Sequence, residues 1–359
     1  MFFELNFLSQ VNAPEKIRLT EFSHGGGCGC KIAPAVLSEI LSSTPIRGLP
    51  KELLVGTETS DDAAVYRLND SQALVATTDF FTPIVDDPYD FGRIAATNAI
   101  SDIYAMGGTP IMALAIVGMP LEKLPVSAIQ RILEGGESVC AAAGIPIAGG
   151  HSIDTLEPIY GLVALGLIHP KKIKRNSSAK RDDVLILGKP LGIGILSAAL
   201  KKGKLSAAGY AQMVEWTTKL NTPGQGLADI AGVHALTDVT GFGLAGHLLE
   251  ICRGSKLAAE VRFDALPVIP EALELAKQGI ATGASDRNWQ GYGSDVFLPS
   301  RSEDWMRKII TDPQTSGGLL VACAPGAEKQ VLKQFEKHGF PGARAIGALA
   351  AGKPVITIV

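Results

Sequence analysis

A polar stretch at residues 170–182 divides this chain into two halves, and this division constrains the fold more than any other feature of the sequence. Short apolar runs alternate with amphipathic segments before it, and the alternation begins afresh after it with an apolar run at 184–187. A chain of 359 residues is also too long for one ordinary hydrophobic core. The sequence therefore predicts two domains, both of mixed α and β structure.

The predicted organisation has three parts. Residues 1–50 form an N-terminal extension with a glycine-rich loop, residues 51–170 an N-terminal domain and residues 171–359 a C-terminal domain. In the first part and the N-terminal domain, apolar periodicity predicts helices at 34–41, 89–106 and 126–143, and strands at 63–68, 73–78, 110–119 and 157–168. In the C-terminal domain it predicts helices near 193–200, 206–220 and 244–252, and strands at 184–187, 235–238 and 355–359.

The composition excludes several classes of function. Thirty-three basic and 36 acidic side chains give a net charge of -3, and the basic run at 171–175 is interrupted by Ile173, so no nucleic-acid partner is expected. Five cysteines without paired spacing are typical of a reducing compartment. The N-terminus has no basic start and no apolar run approaches membrane-spanning length, so a cytoplasmic protein without signal peptide or membrane span is expected.

Aspartates are unusually frequent beside the apolar runs. Asp102 stands out because it lies in a predicted helix rich in Ala and Ile, with Asn98 on the same face. An unpaired carboxylate in apolar surroundings costs several kcal/mol, so a positive group should meet it. Mg²⁺ carrying nucleotide phosphates is one candidate, and a hydrogen bond from Asn98 or a backbone cap is the alternative. The aspartates of this pattern are Asp61, Asp62, Asp79, Asp86, Asp87, Asp102, Asp154 and Asp238.

A nucleotide site in this chain cannot be a P-loop, because no Gly-x-x-x-x-Gly-Lys-Ser/Thr motif occurs. The run Gly149, Gly150, His151 and Ser152 follows an apolar segment and offers backbone amides, an imidazole and a hydroxyl. We interpret it as a glycine turn that approaches phosphate closely.

The segment 23–31 reads Ser-His-Gly-Gly-Gly-Cys-Gly-Cys-Lys and must be a flexible loop. It allows three interpretations: half of a metal site, a reactive thiol, or an ordinary turn. A zinc site lacks a second Cys-x-Cys or Cys-x-x-Cys pair, whereas Lys31 and nearby amides would favour a thiolate at Cys28. Cys140, Cys252 and Cys323 lie in apolar patterns and are predicted core residues.

The loop at 23–31 resembles the N-terminal loop of selenophosphate synthetases, also called selenide, water dikinases. Further segments resemble that family's ATP and magnesium motifs in the same order, and the resemblance covers residues 17–359. These segments are 61–65, 77–81, 96–102, 148–152, 237–243 and 312–318.

The resemblance implies a fold and an activity that periodicity alone does not give. The fold would be the two-domain α+β fold of aminoimidazole ribonucleotide synthetase, in which N-terminal domains pair into a dimer β-barrel with ATP sites at the interface. The activity would be the conversion of ATP, selenide and water into selenophosphate, AMP and orthophosphate by a cytoplasmic homodimer. A selenium-delivery protein and a monovalent cation are further candidate partners.

The resemblance also implies roles for individual residues. Cys28 corresponds to the catalytic cysteine and Lys31 to the essential lysine, while Asp62, Asp102 and Asp238 correspond to the magnesium ligands. Gly150, His151 and Ser152 could serve the partner subunit's nucleotide. The implied nucleotide contacts are Lys31, Thr59, Ser60, Asp61, Asp79, Asp102, Gly150, His151 and Ser152.

Two other functions are open at this point. One is another kinase of the same superfamily, such as a thiamine-phosphate kinase, an aminoimidazole ribonucleotide synthetase or a hydrogenase maturation factor. The loop at 28–31 argues against the first two, and the apolar C-terminus without a thiol argues against the third. The other is a non-catalytic carrier that binds selenium or a soft metal through Cys28 and Cys30, for which the aspartates would be unnecessary.

Overall fold

The first half of the chain forms one mixed sheet. The computed structural model describes residues 17–23, 25–27, 40, 49–56 and 61–359. Six strands pair in the order β1-β2-β3-β6-β4-β5, and all neighbours are antiparallel except β4 and β5. These strands are β1 (Leu53–Val55), β2 (Ala64–Arg67), β3 (Ala73–Phe81), β4 (Thr109–Met119), β5 (Ile147–Asp154) and β6 (Ile159–Ile168).

Helix α1 (Pro88–Ala105) occupies the centre of the molecule. The Asp87 carboxylate caps its N-terminus by accepting a hydrogen bond from the Asp90 N–H, and Pro88 stands in its first turn, where no N–H is needed. The helix packs against α2 (Val126–Ala142), the first sheet and elements of the second half. Most of its side chains are therefore buried, including polar ones on the face toward the second half.

The second half forms a seven-stranded sheet in the order β10-β13-β9-β12-β7-β11-β8. Strand β13 pairs in parallel with both β10 and β9, and the other neighbours are antiparallel. The strands are β7 (Val184–Leu187), β8 (Val233–Asp238), β9 (Leu257–Val261), β10 (Val296–Phe297), β11 (Leu319–Cys323), β12 (Arg344–Ala351) and β13 (Ile356–Ile358).

Eight helices accompany this second sheet. Helix α6 packs against β9, and α10 packs against α5 on the side of the sheet that holds the smaller apolar cluster around Phe335. The helices are α3 (Ile193–Lys201), α4 (Ala207–Thr217), α5 (Pro223–Leu227), α6 (Gly243–Ser255), α7 (Pro270–Lys277), α8 (Gly283–Tyr292), α9 (Asp304–Thr311) and α10 (Glu328–Lys337).

The sequence pattern locates most elements of the first half. The predicted strands at 63–68, 73–78, 110–119 and 157–168 and the helices at 89–106 and 126–143 are confirmed within a few residues, although β3 continues to Phe81. The predicted helix at 34–41 lies outside the described residues, apart from Ile40. In the second half, strands β9 to β12, helix α5 and the helices after α6 were not predicted.

One assignment in the first half was wrong. Gly149-Gly150 is not a turn but part of β5, which pairs in parallel with β4 from Gly150 to Asp154. The reason is steric: a Cβ at Gly150 would overlap the Ala115 carbonyl of β4, so glycine permits the two backbones to approach closely.

Among the described helices, none combines the length and the apolar character that crossing a membrane would require.

Candidate active site

Three aspartates from distant parts of the sequence converge at the contact between the two halves. Asp62 lies just before β2, Asp102 in the last turn of α1 and Asp238 at the end of β8. One carboxylate oxygen from each lies within 4.8 Å of the others. The sequence alone named these three residues through the family resemblance, and the fold brings them together.

Hydroxyl groups orient all three carboxylates. Thr237 Oγ1 donates to Asp62 Oδ1 at 2.8 Å, and Thr77 Oγ1 donates to Asp102 Oδ2 at 2.5 Å. Ser101 Oγ donates to Asp238 Oδ2. Thr237 and Ser101 directly precede the cluster residues Asp238 and Asp102 in the chain, and Thr77 lies on β3, which pairs with β2 after Asp62. The elements that carry the carboxylates therefore also supply the hydroxyls that hold them.

Burial and mutual repulsion oppose the ionisation of all three carboxylates of the cluster. Burial, and after it the charges of Asp238 and Asp102, raise the pKa of Asp62 well above its ordinary range. Asp62 Oδ2 is buried and has no hydrogen-bond partner among the described residues. Carboxylate oxygens at this spacing are the ligands that hard divalent cations prefer, so the residues present fit a Mg²⁺ ion.

A second polar group beside the cluster joins α1 to the loop after α9. Asn98 Nδ2 donates to Asp79 Oδ2 at 2.6 Å, and its Oδ1 accepts the N–H of Ser316 at 2.7 Å. Asn221 Nδ2 donates both to Ser101 Oγ and to the Gly317 carbonyl. Asp102 thus receives a hydrogen bond from Thr77, and Asn98 supports Asp79.

Lys189 is a buried amine within the electrostatic reach of Asp238. Its Nζ donates to the carbonyls of Lys219 and Ser316 at 2.6 and 2.8 Å. Burial lowers the pKa of Lys189 to about 7, although the charge of Asp238 raises it in part. Sequence reasoning missed Lys189, and it missed the supporting hydroxyls of Thr77, Ser101 and Thr237, because each becomes informative once its partner is known.

The predicted nucleotide contacts fall in two separate regions. Asp79 is buried on β3, close to Asn98, whereas Gly150, His151 and Ser152 lie on the exposed edge strand β5. Strand pairing aligns Asp79 with Leu162, Leu162 with Ala115 and Ala115 with Gly150. Three strand spacings place Gly150 about 14 Å across the sheet from Asp79.

Other aspartates of the sequence pattern have structural partners. Asp61 Oδ1 accepts the N–H of Asn176 at 2.7 Å, joining the start of the first sheet to the start of the second half. Asp86 accepts from Thr20, Asp87 caps α1 and Asp154 accepts the N–H of Leu121. These contacts account for part of the acidic pattern without any ligand.

Several predicted site residues lie outside the described part of the chain. In the loop at 23–31 these are His24, Cys28, Cys30 and Lys31, and among the nucleotide contacts they are also Thr59 and Ser60. The described beginning of the loop is anchored: the Gly27 N–H donates to the Thr82 carbonyl at 2.8 Å, and φ at Gly27 is +54°. A Cβ there would overlap Ile84 and Thr315, so this position requires glycine.

The other three cysteines are buried, as predicted. Burial raises the pKa of Cys140, Cys252 and Cys323 to about 12, so these thiols stay protonated at neutral pH.

Comparison with known proteins identifies the class first. The family models for the AIR synthase related protein match this chain over residues 60–168 for the N-terminal domain and 180–359 for the C-terminal domain. A thiamine-monophosphate kinase from Stenotrophomonas maltophilia has the same fold, with a TM-score of 0.63 and 21% identity over 92% of this chain and 96% of that chain. The chain is therefore a two-domain protein of the AIR synthase related class.

Within that class the relatives are close. The chain is 64% identical to the selenide, water dikinase of Dechloromonas aromatica over 96% of its own length and 99% of the relative. It is 62% identical to the selenide, water dikinase of Pseudomonas straminea, over 98% and 99% of the two lengths. The chain belongs to the selenide, water dikinase family.

Proposed function

We propose that this protein catalyses the ATP-dependent formation of selenophosphate from selenide and water, with release of AMP and orthophosphate. The observation that carries the proposal is the acidic cluster, in which carboxylate oxygens of Asp62, Asp102 and Asp238 lie within 4.8 Å of one another. The chain that holds this cluster is 64% identical to a selenide, water dikinase. A thiol carrier would not need such a cluster.

Asp62, Asp102 and Asp238 would hold Mg²⁺. The buried Asp62 Oδ2, which has no hydrogen-bond partner among the described residues, provides a free ligand atom for it. Bound magnesium would neutralise the phosphate charges of ATP, as in other phosphoryl transfers. A monovalent cation is a further candidate ligand of the same acidic region.

The protein's own residues would supply positioning. Phosphoryl transfer depends mainly on orientation and charge neutralisation, so rigid support of the carboxylates matters. The hydroxyls of Thr77, Ser101 and Thr237 fix the three carboxylates, and Asn98 fixes Asp79. We assign the nucleotide contacts to Thr59, Ser60, Asp61, Asp79 and Asp102, together with Lys31.

Cys28 and Lys31 are the proposed catalytic residues. Lys31 would neutralise the transferring phosphoryl group, and the Cys28 thiolate would bring selenium to it away from water. Support comes from the sequence positions of Cys28 and Lys31, one and four residues after Gly27, which the Thr82 carbonyl anchors to the body of the protein.

We further propose a homodimer that pairs the N-terminal domains into a β-barrel. Strand β5 is exposed along nearly its whole length at the edge of the first sheet, and Ile153 and Leu156 nearby are 57% and 84% exposed. Unpaired edge strands with apolar side chains favour pairing with another chain. In such a dimer Gly150, His151 and Ser152 would contact the partner subunit's nucleotide.

The remaining assignments follow the same family. The domains would divide into residues 51–170 and 171–359, after the N-terminal segment 1–50. The protein would act in the cytoplasm, with selenide and ATP as substrates and with a selenium-delivery protein as a candidate partner. Neither nucleic acid nor membrane is a proposed partner.

Phosphorus NMR of the purified protein tests this function. The sample would contain ATP, magnesium and anaerobic selenide, with a selenide-free control. We expect selenide-dependent selenophosphate together with AMP and orthophosphate. Formation of ADP alone would instead indicate another kinase of the same fold, and absence of turnover with a bound selenium atom would indicate a carrier.

A further inference from the structure

A cavity of about 600 Å³ lies beside the start of the glycine-rich loop, and no aspartate of the acidic cluster lines it. Gly25 and Gly26 form one wall, and Pro83 and Ile84 extend it. The opposite walls come from α3 and from the segment 281–287, which includes the first residues of α8. Both halves of the chain therefore contribute to this cavity, which we name the basic pocket.

The described charged residues of the basic pocket are all cationic. Lys201, Lys202 and Arg287 line it, and none of its described lining residues is acidic. Lys201 Nζ donates to the Ser23 carbonyl at 3.2 Å, which holds this side chain at the mouth beside the loop. A concave surface lined by cations of one sign concentrates anions.

The helix at the wall adds to this potential. Thr282 caps α8 by accepting the N–H of Ser285, and Gly283 and Ala284 of the first turn line the pocket. The N-terminus of a ten-residue helix carries partial positive charge and favours an anion nearby. Small side chains at 281–284 leave room for a ligand to approach it.

The pocket is also linked to the candidate nucleotide site. Thr315 lines it, and the next residue, Ser316, donates its N–H to Asn98, which in turn donates to Asp79. Asp62, Asp102 and Asp238 do not line the pocket. An anion bound in the pocket would lie near the nucleotide site without competing for the acidic cluster.

From this geometry we infer that the basic pocket binds a phosphate-sized anion, and that the anion is a product of the reaction, orthophosphate or selenophosphate. The cationic lining of the pocket indicates that the ligand is an anion. Which anion it is rests on the proposed function. A multiply charged tetrahedral anion fits three cationic side chains, and water would fill the rest of the volume.

Isothermal titration of orthophosphate into the full-length protein, without nucleotide or magnesium, tests the inference. Replacement of both Lys202 and Arg287 by Gln should weaken binding by about ten-fold or more, because charge-assisted hydrogen bonds are lost. Lys204→Gln, an exposed lysine outside the pocket, is the matched control and should bind like the wild type. Unchanged affinity in the double variant, or no binding by the wild type, would overturn the inference.

Thiophosphate, a sulfur analogue of selenophosphate, distinguishes the two candidate ligands, orthophosphate and selenophosphate. Clearly tighter binding of thiophosphate than orthophosphate identifies selenophosphate as the ligand, and equal or weaker binding identifies orthophosphate. Melting temperatures of the variants and the wild type separate a loss of anion binding from a loss of folding. Lys202→Arg with Arg287→Lys should restore binding if charge is what the anion recognises.

The titration requires no turnover, so its result is independent of the proposed activity. If selenide-dependent turnover is absent but phosphate binds through Lys202 and Arg287, the pocket stands and the reaction assigned to the protein fails. If turnover occurs and the double variant binds phosphate like the wild type, the pocket assignment alone fails.

Discussion

Two edge strands carry residues of the candidate site, and their surroundings are opposite. β8 ends the second sheet and is almost entirely buried, because α1 from the first half covers it next to Asp238. β5 ends the first sheet and is exposed along nearly its whole length, with Gly150 to Ser152 in its middle. One chain therefore completes the acidic cluster, whereas the β5 part of the site would need a second copy to cover it.

The largest expected effect is on turnover, through the acidic cluster that a single chain completes. Asp102→Asn should lower turnover about 100-fold or more, because one of three charged metal ligands becomes neutral. The same change should raise the melting temperature of the metal-free protein, since it relieves repulsion with Asp62 and Asp238. Steady-state kinetics over a magnesium series and a thermal melt in EDTA measure both effects.

Asp70→Asn is the matched control, because Asp70 is an exposed carboxylate in the connection between β2 and β3 and is not part of the cluster. It should change neither property. An Asp102→Asn variant with wild-type magnesium dependence would remove Asp102 from the metal site.

The second prediction concerns β5, the exposed edge strand of the first sheet. Gly150→Ala places a Cβ against the Ala115 carbonyl, so β5 must move from β4 at a cost of about 3 kcal/mol. If β5 forms the dimer interface, the variant should also dissociate at concentrations where the wild type is dimeric. Analytical ultracentrifugation and urea unfolding give the two quantities.

Gly291→Ala is the comparison for this change, because a Cβ at Gly291 meets no atom within 4 Å. This variant should keep both stability and assembly. Loss of stability in Gly150→Ala without any change in assembly would place the dimer interface elsewhere.

The smallest effect concerns the loop beside the end of β8. Burial raises the pKa of Asp312 to about 8, against the hydrogen bonds it accepts from Ile195, Gln314 and Gly194. The folded protein then holds a proton that the unfolded chain releases near pH 4, so stability should fall as the pH rises toward and through 8. Asp312→Asn should flatten this dependence, as measured by urea unfolding between pH 6 and 9.

A slope that persists unchanged in Asp312→Asn would assign the pH dependence to other groups. Asp264→Asn, a carboxylate in the short turn after β9, is a suitable control and should keep the wild-type slope.

The sequence predicted local elements better than their assembly. Helix α1 and strands β2, β3, β4 and β6 follow from apolar periodicity and from the glycines and prolines that end them. β11 is buried throughout and was missed, because a short run such as Leu319–Cys323 gives no alternation to read. Gly149-Gly150 was assigned to a turn, because glycine in a strand is explained by a neighbouring backbone that the sequence does not show.

The family motifs identified Asp62, Asp102 and Asp238 from the sequence, but not why they are useful together. Their convergence within 4.8 Å depends on α1 lying across the end of β8, which brings residues about 176 positions apart in the chain into contact. The same packing creates the orphaned Asp62 Oδ2, the buried Lys189 and the links through Asn98 and Asn221.

The sequence by itself determined the two-domain α+β class, the family and the identity of the acidic residues, because these follow from local pattern and from motifs in a fixed order. The tertiary structure decided which aspartates meet and which cap helices or join loops, that β8 is covered while β5 is exposed, and that the basic pocket forms between the halves. These are long-range properties, since burial and charge proximity arise from contacts between segments that no local pattern records.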